Sequence, residues 1–375
     1  MAGCVTEQRL PTVPHAISIA GKDHFLGIPN ARFLVGARDA DIQAEWFRVE
    51  GRRARLGLGG DYHILALSGG GADGAFGAGL LNGWSERGDR PEFEMVTGIS
   101  TGALIAPLAF LGKAYDPDLK KLYTTISDSD IVSPRGLPAA LLSDAFNDSA
   151  PLARLIETTL TDEMIVAIGK EYQKGRFLIV GTTNLDLGRQ VIWNIGALAD
   201  SGRPEAFQAI RRILLASASI PGLFPPVLFD IEIDGTRRQE LHVDGGAAAQ
   251  IFLYPTGLSV RHAPAFIRNR RRIAWIIRNG RTRDLPVETE RSLTGISARA
   301  ISALIGANSQ GDIYRIYLQT QRDKVAFNLA YIQSGFTGVA KTPFDREYMN
   351  ALYAFGRRRM LEDRVWVNSP PGFML

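Results

Sequence analysis

Cysteine is almost missing from this chain. Cys4 is the only one in 375 residues, so no internal disulfide can form and no cysteine-held metal centre is available. No apolar run is long enough to make a membrane-spanning helix. Heptads, internal repeats and low-complexity tracts are absent as well, which leaves out coiled coils and solenoids. An excess of one charge is also lacking. Lysine and arginine total 43 against 39 acidic residues, a net charge of +4. That balance does not call for a nucleic-acid partner, although it tolerates an anionic membrane surface. The remainder is 45% hydrophobic and 22% charged, the make-up of a globular chain with a sizeable core. Its length suits one large domain or two ordinary ones.

One stretch organises the rest. Phe93 to Gly102 reads as a strand, a turn and the start of a helix. Met95, Val96 and Thr97 favour a strand, Gly98-Ile99-Ser100-Thr101-Gly102 is a G-x-S-x-G sequence, and Ala103 to Leu111 continues as an apolar helix. In a nucleophile elbow the serine sits on such a strand-to-helix turn with its hydroxyl pushed outward. Gly98 and Gly102 suit a turn too tight for a Cβ. The helix N-terminus behind Ser100 presents free N–H groups to developing negative charge.

The first 60 residues read as a leader punctuated by Pro11, Pro14 and Pro29. Ile17-Ser18-Ile19-Ala20 suggests a short strand. Asp39 to Val49 suggests an amphipathic helix with Ile42, Trp46 and Phe47 on its apolar face. Gly57, Gly59 and Gly60 mark a linker. The opening Met1-Ala2-Gly3-Cys4 looks like the end of a bacterial lipoprotein signal without its apolar stretch. Lipid on Cys4 would place the protein at the bacterial cell envelope, tethered to the membrane. The other reading is a plain thiol on the terminus of a cytoplasmic protein.

The core begins at Ile64-Leu65-Ala66-Leu67, a run suited to a buried parallel strand. It flows into a glycine-rich turn from Ser68 to Gly79 and a helix through Leu80, Leu81 and Trp84. Bare, convergent N–H groups in such a turn bind an anion, either a phosphate or an oxyanion. Gly69-x-Gly71-x-x-Gly74 matches the dinucleotide fingerprint, but the acidic residue expected at the end of the next strand is missing. No Gly-Lys-Ser/Thr follows, so it is not a Walker loop. An oxyanion hole beside Ser100 uses the same nest without those defects.

Lys113 to Thr161 reads as a polar helical region. Within it, Leu137 to Leu142 is an apolar patch, suited to core packing or to the wall or lid of an acyl-chain site. Phe177 to Asn184 and Gln190 to Ile195 read as adjacent strands. A helix follows from Glu205 to Ser219. Leu228 to Ile233 and Arg237 to Val243 form a hairpin about Asp234-Gly235. The second of these strands delivers His242, Asp244, Gly245 and Gly246. Alternation puts His242 and Asp244 on one face, with Asp244 at the strand end, where a parallel-sheet site gathers its residues. Alone, Asp-Gly-Gly reads as a turn. Arg261 to Arg283 is conspicuously basic, either a solvated face or a contact for anionic head groups. Helices near Thr289 to Ile305 and Ile313 to Leu318, a strand from Val325 to Ile332 and a helix from Phe344 to Leu361 complete the chain.

Taken in order, Gly69-Gly70-Gly71-x-x-Gly74, Gly98-x-Ser100-x-Gly102, Ala216-Ser217-Ala218-Ser219-Ile220-Pro221 and Asp244-Gly245-Gly246 resemble the patatin-like phospholipase family. The resemblance covers about residues 62 to 255. It implies a three-layer α/β/α sandwich with a mostly parallel central sheet, over residues 61–365, between the leader and a tail of 366–375. It implies a serine–aspartate dyad without catalytic histidine, cofactor or metal. Ser100 would be the nucleophile and Asp244 the base. Backbone N–H groups of Gly69, Gly70, Gly71 and Gly74 would form the oxyanion hole. The substrate would be a phospholipid or another acyl ester. One departure is visible: Asp73 stands where the family usually has arginine or lysine. A carboxylate aimed into the nest would oppose an oxyanion, so Asp73 is expected to point away, onto a basic neighbour.

Two rivals stand beside this reading. One is an α/β-hydrolase triad of Ser100, Asp244 and His262. The other is a non-catalytic lipid or nucleotide carrier built on the Gly69–Gly74 loop.

Overall fold

In the computed structural model of the protein, residues 9–20, 25–134, 145, 147–260, 263–282, 288–363 and 365–373 are described. The Leu137–Leu142 patch, Cys4 and His262 lie outside them.

The centre of the molecule is a set of parallel strands rich in Ile, Leu and Val. β2 (Tyr62–Leu67) pairs with β3 (Met95–Ile99), and β3 pairs with β4 (Phe177–Asn184), all parallel. On its other edge β2 pairs with β8 (Arg272–Arg278), which pairs with β9 (Val325–Tyr331), again parallel. The outer side of β4 is extended by antiparallel β5 (Arg189–Asn194) and then β1 (Arg32–Leu34). Alternation along each strand then divides the core in two. Leu65, Leu67, Val96, Leu178, Val180 and Ile277 point into one layer. Ile64, Ala66, Met95, Ile179, Ala274 and Ile276 point into the other.

Helices cover both faces. On the first lie α3 (Gly74–Arg87), α4 (Thr101–Leu111), α7 (Asp162–Gln173), α8 (Pro204–Ser217) and α10 (Arg346–Leu361), with α5 (Asp116–Thr124) and α6 (Ala150–Thr159) beside them. On the second lie α2 (Asp39–Arg55), through Ile42, Trp46 and Val49, and α9 (Leu293–Asp323), through Ile313, Ile316 and Tyr317. The architecture is therefore the expected α/β/α sandwich with a mostly parallel sheet. Residues of the leader take part in it: β1 is a sheet strand, and Gln239 N–H donates to Pro11 O at 3.0 Å.

Three local expectations change. Residues 17–20 are not a strand but the end of α1 (His15–Ala20). Pro14 starts this helix, and its carbonyl accepts from Ile17 and Ser18 N–H; a short apolar run cannot separate the two by pattern alone. The two helices expected after Thr289 are one, α9, of 31 residues. Gly306 and Gly311 each cost about 1 kcal/mol in a helix interior, but packing of the C-terminal half on the sheet outweighs this. The helix ends at Lys324 in the left-handed region, φ 54°. The helix before the hairpin stops at Ser217 rather than Ser219.

The hairpin of β6 (Val227–Ile233) and β7 (Thr236–Asp244) sets up that site. β3 pairs with β4 only from Phe177 to Gly181. β7 takes the next residues of β4, Thr182 to Asn184, antiparallel. β5 already occupies the other edge there, so β7 meets β3 end to end. Ile99 is opposite Gly181 and Asp244 opposite Thr182. The two chain segments thus deliver Ser100 and Asp244 to one point.

Candidate active site

Ser100 has φ 54° and ψ −126°, a strained conformation for a residue with a side chain. Its surroundings hold it there. Ser100 N–H donates to Ser217 Oγ at 3.0 Å, and Ser217 Oγ donates to Gly181 O at 2.7 Å. Gly102 is pressed against the preceding turn: a Cβ on it would lie 2.4 Å from Leu67 O and 2.6 Å from Ser68 O. A Cβ on Gly98 would meet Gly102 O at 2.5 Å. The elbow is therefore closed to side chains on both flanks, as its sequence suggests.

Asp244 is equally enclosed, with 4% of its surface exposed against 5% for Ser100. Its backbone is braced by Asp244 N–H to Ser219 O at 2.8 Å and by Thr183 Oγ1 to Asp244 O at 2.9 Å. Oδ1 accepts from Gly246 N–H at 2.7 Å. Oδ2 is buried with no hydrogen-bond partner among the described residues. Burial pushes this carboxyl up to about 7, against the Ser100 hydroxyl and the Gly246 N–H, which pull it down. A buried carboxyl within reach of a serine hydroxyl, with a pKa raised by burial, is chemically able to take a proton.

The Gly69 loop arrives from β2. Gly69 N–H is committed to Gln250 O at 3.0 Å, and Gly74 N–H to the carbonyls of Gly71 and Ala72. Of the four donors expected, then, Gly70 and Gly71 remain with no acceptor among the described residues. Gly70 has φ 155°, and a Cβ there would sit 2.0 Å from Asn279 O. Asn279 is the staple for this loop. Its Nδ2 donates to Ser68 O at 2.9 Å, its N–H to Ser68 Oγ at 2.8 Å, and its Oδ1 accepts from Gly77 N–H at 3.1 Å. Asp73 does turn away, but onto a phenol: Tyr348 Oη donates to Asp73 Oδ1 at 2.5 Å. Burial pushes the Asp73 carboxyl up to about 6, opposed by Tyr348 and by Arg281 farther off.

Gln250 joins the pieces. The point where a Gly69 Cβ would sit is 2.4 Å from Gln250 Oε1, and the point for a Gly246 Cβ is 2.1 Å from Gln250 Nε2. Its carboxamide therefore lies between the Gly69 loop and the Asp-Gly-Gly turn. Its N–H donates to the buried Asp312 of α9 at 2.7 Å.

Ser100 stands where two spaces meet. One is an apolar seam walled by Leu104, Leu122, Leu152, Leu155, Phe224 and Met349, continued past Leu104 and Leu155 by Pro107, Ile156 and Leu214. It is narrow, with about 30 Å³ free, so an acyl chain must part its walls. The other is a wider and more polar cleft of about 520 Å³ that also holds Asp73, Asp244, Gln250, Arg281 and Arg299. Among the described residues lining either space there is no histidine.

His242 lies elsewhere. It is fully buried, between Trp193 and Phe229. Nδ1 pairs with Thr182 Oγ1 at 2.9 Å and Nε2 with Glu240 Oε2 at 3.2 Å, so neither nitrogen is left for Ser100. Burial pushes its pKa below the ordinary value despite Glu240. Burial also opposes the Glu240 charge, yet Arg32 and His242 outweigh it and hold that carboxyl at about 2. His242→Gln should therefore lower the melting temperature while keeping kcat within about tenfold, roughly 1.4 kcal/mol of barrier. A loss of several orders of magnitude in correctly folded protein would return His242 to the chemistry.

Much of the basic run is consumed internally. Arg270 bonds Glu50 and Glu94, and Arg272 bonds Ile267 O and Asp323 O.

A mostly parallel α/β sheet carries a serine in a tight turn at a strand end, with a buried carboxylate and a glycine-rich turn beside it. Residues 65–255 match the patatin-like phospholipase family, and the chain belongs to it. That membership sets the activity class as hydrolysis of lipid esters. No curated protein matches the chain. Among solved structures, VipD from Legionella pneumophila is similar with a TM-score of 0.40 and 13% identity, over 81% of this chain and 67% of that one. No helix among the described residues is long and apolar enough to cross a membrane.

Proposed function

We propose that the protein is a lipid acyl hydrolase working through a Ser100–Asp244 dyad. The observation that carries this reading is the meeting of three things at one point: a strained serine, the idle Oδ2 of Asp244, and the free N–H groups of Gly70 and Gly71. The acyl chain enters the apolar seam, and the alcohol portion lies in the polar cleft. Ser100 Oγ attacks the ester carbonyl as its proton passes to Asp244. Gly70 and Gly71 N–H hold the oxyanion. The C–O bond to the alcohol breaks, the alkoxide takes the proton from Asp244, and an acyl-serine remains. Water then attacks that ester and gives a proton to Asp244; the bond from the acyl carbon to Ser100 Oγ breaks, Asp244 returns the proton to Ser100 Oγ, and the fatty acid leaves.

The sign of the pH dependence follows from the base. Asp244 must be ionised, and burial places its pKa at about 7. The kcat/KM for a soluble ester should fall as pH drops below about 7 and level off above it. A fluorophosphonate probe should label Ser100 in the wild type and leave Ser100→Ala unlabelled. Labelling elsewhere, or a rate flat from pH 5 to 8, would overturn the dyad. A carrier protein would not react at all.

A further inference from the structure

The polar cleft has a charge pattern of its own. Its arginine and aspartate lining among the described residues comprises Arg278, Arg281, Arg299, Asp73 and Asp244. Asp244 is the proposed base, and Asp73 is engaged by Tyr348. Arg281 acts on Asp73 only from a distance, and neither it nor Arg299 makes an ion pair with a carboxylate among the described residues. Arg281 donates to the carbonyls of Phe336 at 2.7 Å and Gly338 at 3.2 Å and stacks over the Phe336 ring. Carbonyls hold a guanidinium in place without neutralising it. Arg299, half-buried on α9, has no carboxylate partner among the described residues. These cations face the alcohol side of Ser100, where the head of a lipid ester would lie. A walled cleft with low-dielectric sides concentrates such a field.

Guanidinium groups match phosphate oxygens in a planar fork. A cationic head-group end, by contrast, finds only Asp73, which is already bonded to Tyr348, and the buried Asp244, the proposed base. We infer that this cleft is a subsite for a phosphate head group of net negative charge, with Arg299 and Arg281 selecting it over zwitterionic and neutral esters. The inference rests on the acyl-hydrolase reading and adds the preferred substrate class and the residues that choose it.

The test uses short-chain soluble lipids with identical acyl groups: phosphatidylglycerol, phosphatidylcholine and diacylglycerol. The wild type should favour the first, and added salt should erode that preference. Specificity is a difference, so the readout is the ratio of kcat/KM for phosphatidylglycerol to that for diacylglycerol. Charge-assisted contacts of this kind set that ratio by about ten- to a hundredfold. Arg299→Gln should collapse it by that factor, and Arg299→Lys should restore part. Arg281 also supports backbone, so its variants are secondary. A wild type that favours phosphatidylcholine or diacylglycerol, or a ratio unmoved in Arg299→Gln, overturns the subsite while leaving the hydrolase reading intact. Calorimetry of glycerol 3-phosphate on Ser100→Ala protein tests the subsite without turnover. Binding that Arg299→Gln abolishes supports it even if the proposed chemistry fails, and no binding to the parent protein overturns it.

Discussion

Replacing either Ser100 or Asp244 by alanine is expected to abolish ester hydrolysis, and replacing both is expected to do no further harm. The two side chains are delivered by β3 and β7 to the same end of β4, and neither has another partner for the reaction. Residues acting as one unit show this non-additivity. Kinetics of the three variants against a soluble ester would check it. Substantial activity in Asp244→Ala would falsify the dyad. Asp244→Asn adds a separate readout. Burial raises the Asp244 carboxyl from 3.8 to about 7, so the folded state binds the proton more tightly than the unfolded chain. Stability therefore falls as pH rises through that interval and stays lowered above it. Asparagine removes the penalty, which is worth at most about 4 kcal/mol. The inactive Asp244→Asn protein should melt at a higher temperature than the wild type at pH 8, and the gain should fade toward pH 4. Equal melting curves at pH 8 would mean the carboxylate is better solvated than its burial suggests.

The second large effect concerns the far end of the chain. A fragment ending at Pro255 contains every motif of the family match, residues 65–255, yet it should not fold. β2 lies between β3 and β8, and β8 and β9 come after that boundary. Removing them exposes a whole edge of β2 and strips away Ala274, Ile276, Ile277, Phe327 and Leu329, all buried. It also removes α10, which crosses α3 at Gly79 and Gly83 so closely that a Cβ on Gly79 would lie 2.1 Å from Tyr353 O. An open apolar strand edge favours aggregation. The expected outcome is insoluble product, or soluble product without a cooperative melt by circular dichroism. A soluble fragment with a sharp transition would show that the first 255 residues are self-sufficient.

What could be read from the sequence was local. The elbow, the Gly69 turn, the Asp234-Gly235 hairpin and the strand carrying Asp244 each announce themselves through a few neighbouring residues. The closing partners do not. Ser217 looks like one small helical residue among several until its hydroxyl is seen under Ser100. Asn279 and Gln250 act on the nest from distant segments, and nothing in their own neighbourhoods marks them. The Gly69 and Gly74 N–H groups look available from sequence, because their acceptors, Gln250 O and the turn's own carbonyls, appear only in three dimensions. Arg299 reads as one more surface charge until α9 proves continuous and places it over the cleft. For Ser217, Asn279, Gln250 and the Gly69 N–H the missing information was a long-range contact rather than a propensity.

The position of β8 also has a consequence in time. Leu65 pairs with Trp275, so the sheet that carries the nucleophile cannot close while residue 275 is still being synthesised. The nascent chain carries its full set of chemical groups by Gly246 but lacks the Asn279 staple and the Asp312 support for Gln250. At roughly 5–20 residues per second, about 4–15 s pass between Pro255 and the end of β9. Throughout that interval the ribosome-bound protein should be inert toward lipid. Chains stalled shortly after Pro255 should not react with a fluorophosphonate, and chains stalled well beyond α10 should. The proposed site would thus be completed last, by the order in which the strands emerge.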